Sequence, residues 1–204
     1  MILSHKHELI FIRLQKVAGS SLCTYLLGTD QQLIKTCVDK SQTEQTFGRE
    51  LDPHHIPAAD IKMYLGEEIY YKYKKIAFVR NPWDRMKSIH KYRKIKMEFN
   101  EWILYGIEKG FDKWWANIDM TQSSFIGPDV DYIGKFEKLQ QDWDHIHEVL
   151  QLPKPKRQKK PQGTWIPHIN PTCDAIDMPR EYNQETYQKL GEKYHDDIKR
   201  FGYC

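Results

Sequence analysis

The segment Phe11-Ile-Arg-Leu-Gln-Lys16-Val-Ala-Gly19-Ser20-Ser21-Leu22 places a lysine, a glycine and two hydroxyls within six positions. A second segment, Ile76-Ala-Phe-Val-Arg80-Asn81-Pro82-Trp83-Asp84-Arg85-Met-Lys-Ser88, sets an arginine and a serine eight positions apart. Each segment is an apolar run that breaks into phosphate-seeking residues and then into a helical pattern. The chemistry these residue types serve is the holding of two phosphate groups. That fits a nucleotide phosphorylated at two places better than it fits ATP.

In the first segment, the start of a helix offers unbonded N–H groups and about half a positive charge. Gly19 lets the backbone approach an anion closely, and Ser20 and Ser21 add hydroxyl donors. Lys16 adds a point charge that can follow charge developing on a leaving phosphate oxygen. The order differs from the triphosphate loop GxxxxGK[ST], because here the lysine precedes the glycine. The alternative reading is an ordinary strand–turn–helix with a serine cap. In the second segment, Asn81-Pro82 forces a turn and starts a helix. Arg80 and Ser88 together suit a phosphate monoester, while Arg85 could instead pair with Asp84 or Glu137.

Positioning these groups requires strands that end where helices begin. Leu9 to Leu14, Lys75 to Val79 and Tyr132 to Phe136 read as strands. Helices are predicted from Gly19, over Pro57 to Leu65, from Pro82 to about Ile95, and over Glu98 to Trp115 with a break near Gly110. Two more follow, over Glu137 to Leu150 and Asn183 to Phe201. In the Glu137 helix, Leu139, Trp143, Ile146, Val149 and Leu150 are expected toward the core. Residues 30–56 are polar and give no clear element. Residues 152–170 hold four prolines and the cluster Lys154, Lys156, Arg157, Lys159 and Lys160, which marks a basic loop. Strands alternating with helices imply an α/β three-layer sandwich around a central parallel sheet.

At 204 residues the chain is expected to form a single domain. Hydrophobic residues make up 40% and charged residues 29%, which excludes a disordered chain. No apolar run approaches a membrane span, and the first residues lack a signal-peptide core. The cysteines Cys23, Cys37, Cys173 and Cys204 are scattered without a CxxC pair, compatible with a reducing compartment and a cytoplasmic location.

The two motifs resemble those of the sulfotransferase family, most closely its carbohydrate sulfotransferase branch. Lys16 to Ser21 is similar to the family's 5′-phosphosulfate loop, and Phe78 to Ser88 to its 3′-phosphate motif. Tyr132-Ile-Gly-Lys-Phe-Glu137-Lys-Leu139 followed by Asp142 looks like its "IGRFE-L--D" segment, with Lys135 where arginine is common. Ile166-Pro-His168-Ile-Asn170, then Tyr187, Tyr194, Asp197 and Phe201-Gly-Tyr203, resembles its C-terminal pattern. A further expected departure is the lack of a membrane anchor before the domain.

The resemblance implies a P-loop NTPase-like sulfotransferase fold and a PAPS-dependent transferase. The donor would be 3′-phosphoadenosine 5′-phosphosulfate (PAPS), the product PAP, and no metal would be required. The acceptor would be a hydroxyl or amine of a small carbohydrate-like molecule, with no nucleic acid and no membrane as partner. Lys16, Val17, Ala18, Gly19, Ser20 and Ser21 would hold the 5′-phosphosulfate, with Arg80 and Ser88 on the 3′-phosphate and Phe136 near adenine. An acceptor hydroxyl needs a base, and histidine suits it. Of the nine histidines, His5 and His7 lie at the ragged start and His145 and His147 face different ways on a helix. His90 and His195 fall in surface patterns, and His168 lies in the late loop. Asp52-Pro53-His54-His55-Ile56-Pro57-Ala58 resembles the family's "GH-x-PA" segment, which makes His55 the base and His54 the runner-up.

Trp102, Tyr105, Trp114 and Trp115 read first as a helix core and second as a sugar-stacking wall, and Trp165 could close over adenine. The basic loop reads as a solvated run, a 3′-phosphate contact or an attractor of anionic glycans. Two other functions fit parts of the sequence: an ATP-dependent small-molecule kinase of related fold, and a polyanion or nucleic-acid binding module built on the basic loop.

Overall fold

The computed structural model describes residues 1–29, 34–35, 52, 54–111, 117–152 and 181–203. In chain order the strands are β1 Ile2–Ser4, β2 Leu9–Ile12, β3 Ile34–Lys35, β4 Lys74–Val79 and β5 Tyr132–Lys135. The helices are α1 Gly19–Thr29, α2 Ala58–Leu65, α3 Glu67–Lys72, α4 Pro82–Arg93 and α5 Phe99–Lys109. They continue with α6 Gln122–Ile126, α7 Leu139–Val149, α8 Gln184–Lys193 and α9 His195–Phe201. A single 3₁₀ turn, Phe136–Lys138, joins β5 to α7. The chain divides into two compact units, Met1–Val79 with Phe125–Ile169, and Arg80–Ser124 with Asn170–Cys204.

The first unit holds the sheet, in the order β3-β1-β2-β4-β5. The strands β2, β4 and β5 run parallel, with Ile12 beside Ala77 and Phe78 beside Gly134. This is the expected α/β class, a mostly parallel sheet with helices between its strands. Two strands that the sequence pattern did not reveal extend it. β1 pairs antiparallel with β2 and with β3. Met1, Ile2 and Leu3 are almost wholly buried, so the ragged start is a core strand. His5 lies in the β1–β2 hairpin, 2.7 Å from the Tyr73 hydroxyl.

Every residue of β2 is buried, as strands covered on both faces require. The Phe78 ring meets Phe11 on one side and Trp143 of α7 on the other. A Cβ at Gly134 would overlap that ring, so packing explains the glycine in β5. The expected α7 stripe is narrower than its sequence pattern: Trp143 and Ile146 are buried, but Val149 is exposed. α7 ends there, and Leu150 N–H bonds back to Ile146 O.

The second unit packs Trp83, Met86 and Ile89 of α4 against Trp102 and Ile103 of α5, with Leu190 and Tyr194 from the C-terminal helices. The single helix expected over Asn183 to Phe201 is broken at Tyr194, which leaves the helical region at φ −105° and ψ 28°. Its hydroxyl donates to Ile118 O, so the break buys a buried anchor. α5 stops at Gly110, which has φ +91°, where the sequence predicts a break. Among the described residues, no helix is long and apolar enough to cross a membrane.

Candidate active site

The neighbouring parallel strands β2 and β4 end on the same edge of the sheet, and each sequence motif begins where its strand stops. In the first motif the chain turns between β2 and α1 through Lys16 at φ 61° and Ala18 at φ 65°. Both are left-handed and neither is glycine. A side chain in that region costs about 1–2 kcal/mol, and such strain is kept where a backbone shape is needed. Left-handed residues alternating with ordinary ones turn successive N–H groups inward, the geometry that cradles anions.

Leu22 N–H bonds to Ala18 O at 3.1 Å, which makes Ala18 the cap residue of α1. Alanine has no side-chain oxygen to cap the N–H groups of Gly19, Ser20 and Ser21. The first turn of α1 also carries no acidic residue. Lys16 and Ala18 are partly exposed and Ser20 is exposed, while Val17, Gly19 and Ser21 are buried. A Cβ at Gly19 would come no closer than 3.4 Å to any neighbour, so the protein's own packing does not demand glycine there.

The predicted histidines are organised around Asp52. Its side-chain oxygen accepts from His54 N–H at 2.9 Å and its carbonyl from His55 N–H at 2.8 Å. His54 is exposed. The His55 ring turns to the first motif instead, with Nδ1 3.0 Å from the carbonyl oxygen of Arg13. A carbonyl only accepts, so the proton sits on Nδ1 and Nε2 carries the lone pair. Burial pushes the His55 imidazole down to about 4. The Arg13 carbonyl and the charge of Asp52 oppose that shift, and the positive charges of Arg13 and the chain's amino group add to it. Arg13 was not singled out from sequence. Its guanidinium is buried, with Nε and Nη1 lacking a hydrogen-bond partner among the described residues, and burial lowers its pKa.

The second motif is built differently. Asn81 Oδ1 accepts from Trp83 N–H at 3.0 Å and Asp84 N–H at 3.4 Å, so the protein caps α4 itself. The resemblance between the two segments is therefore one of sequence. At the second motif the side chains of Arg80 and Ser88 are both buried. Arg85 is also buried. Burial lowers its pKa, and the charge of Asp197 opposes that shift. The Arg80 backbone is gripped by Gln122, which carries no motif signal: Oε1 accepts from Arg80 N–H at 2.9 Å and Nε2 donates to Arg80 O at 2.7 Å.

Phe136 opens the 3₁₀ turn after β5 and is partly buried. Just before it, Lys135 N–H donates to Asp142 Oδ2 at 2.6 Å, which accounts for the spacing of that aspartate. Tyr187 stacks on Trp83 with centroids 4.6 Å apart and accepts from its indole N–H. Trp102 is wholly buried and Tyr105 is 38% exposed, so the core reading holds for the tryptophan. Trp114, Trp115, Trp165, His168 and the basic cluster 154–160 lie outside the described residues.

Comparison with curated proteins and with solved structures gave no match. A family model described as the Sulfotransferase family matches residues 1–204, the full sequence on which both motifs and His55 lie. The chain belongs to the sulfotransferase family, whose activity is sulfuryl transfer.

Proposed function

We propose that the protein transfers a sulfuryl group from PAPS to a hydroxyl or amine of a carbohydrate-like acceptor. The observation that carries this reading is the turn before α1. There, strained Lys16 and Ala18 lead into a helix whose cap residue has no capping side chain. The donor residues fit a phosphate: backbone N–H groups of Gly19, Ser20 and Ser21, two hydroxyls and one lysine. PAPS supplies a sulfuryl group already activated on a phosphate leaving group. Lys16 neutralises charge that builds on the departing phosphate oxygen. Arg80 and Ser88 take the 3′-phosphate, and Phe136 lies against the base. His55 Nε2 accepts the proton of the acceptor hydroxyl as its oxygen attacks sulfur in line, with positioning the main source of rate. Scattered cysteines support a reducing, cytoplasmic setting.

Thermal unfolding with PAP, with ATP–Mg and with short DNA separates this reading from its rivals. PAP at a hundred times its dissociation constant should stabilise the fold by about 2.7 kcal/mol and raise Tm. Stabilisation by ATP–Mg alone would establish a kinase, and by DNA alone a polyanion binder. Labelled PAPS offered against glycans, lipids and phenols then identifies the acceptor class.

A further inference from the structure

The two bonds from Gln122 to Arg80 reach beyond structural filling. β4 ends at Val79, so the peptide groups of Arg80 stand one residue past the sheet. The Gln122 amide supplies to them one acceptor and one donor, as a neighbouring strand would. A primary amide side chain offers both at once; a carboxylate lacks the donor. Gln122 is 1% exposed, so water does not substitute for it.

Gln122 is itself fixed. Its N–H donates to Asp197 Oδ2 at 2.8 Å, and Ser123 N–H donates to Asp197 Oδ1 at 2.7 Å. A carboxylate from α9 thus caps α6 with both oxygens. Asp197 is fully buried, and the positive charge of Arg85 acts on it. On the other side of Arg80, the Asn81 cap fixes the next residue at the start of α4. The Arg80 main chain is held by the Gln122 side chain and runs directly into the Asn81 cap. That is what an arginine fork requires, because its grip on a phosphate depends on orientation as well as charge.

We infer that Gln122 is a positioning residue for Arg80, anchored by Asp197, and that it sets how strongly the protein distinguishes a nucleotide bearing a 3′-phosphate from one without. The inference rests on the donor reading above.

Isothermal titration with PAP and with 5′-AMP, which lacks the 3′-phosphate, isolates the contribution of that phosphate. For Gln122→Met the ratio of the two affinities should fall by about tenfold or more while 5′-AMP still binds. In an Arg80→Ala background the same substitution should change the ratio no further, because its effect passes through Arg80. A Gln122→Met protein that keeps the wild-type ratio overturns the positioning role. Wild-type protein that binds PAP and 5′-AMP equally overturns the donor reading instead. Should Gln122→Met fail to fold, amide exchange of the wild type decides: the Arg80 N–H should be protected without ligand, and fast exchange there overturns the clamp.

Discussion

At the scale of single residues, His55 gives the sharpest expectations. Its folded value of about 4 lies below the ordinary 6.5 of an imidazole. The folded chain therefore binds fewer protons than the unfolded chain between those values. Stability should fall as pH drops from about 6.5 toward 4, and be fully present above. His55→Gln should flatten that part of a Tm-against-pH curve. The acid limb of kcat/KM should lie well below pH 6.5, since this profile reports the free enzyme. His55→Ala should abolish transfer and leave PAP binding intact; retained turnover would move the base role elsewhere. The histidine pair was legible in sequence because Asp52 and Ile56-Pro57 bracket it in a short pattern. What separated His55 from His54 was not, because it depends on a carbonyl 42 positions away.

At the scale of elements, residues named by pattern acquire mechanical reasons. Gly134 exists because Phe78 lies over it. Gly134→Ala should destabilise the fold by about 1–3 kcal/mol, as overpacking does, measurable by urea denaturation. The three parallel strands and most helices were legible because each is a local run with a start signal, such as Pro57 before α2 or Asn81-Pro82 before α4. The strands β1 and β3 were not, because two or three residues carry no period and their identity comes from a partner across the sheet. The Asn183–Phe201 pattern hid its break for a related reason: Tyr194 leaves the helix to reach Ile118 O, 76 positions away.

At the scale of the whole molecule, the two motifs belong to different compact units of the chain. Amide exchange can therefore be read for each unit separately. PAP is expected to slow exchange both in the first turn of α1 and at Arg80, whereas 5′-AMP should slow only the former. Equal protection by the two ligands would contradict separate roles for the motifs. Family membership was readable over the full length because its motifs are short and ordered along the chain. Gln122 escaped because a lone glutamine has no signature until Arg80 and Asp197 surround it. The contrast between the Ala18 and Asn81 caps also bears on how this enzyme can change. Recognition by main-chain N–H groups survives most side-chain replacement, while the recognition proposed for Arg80 and Ser88 would reside in two codons. Laboratory evolution toward donors with a different ribose substituent should therefore find its mutations around α4 and leave the loop before α1 untouched.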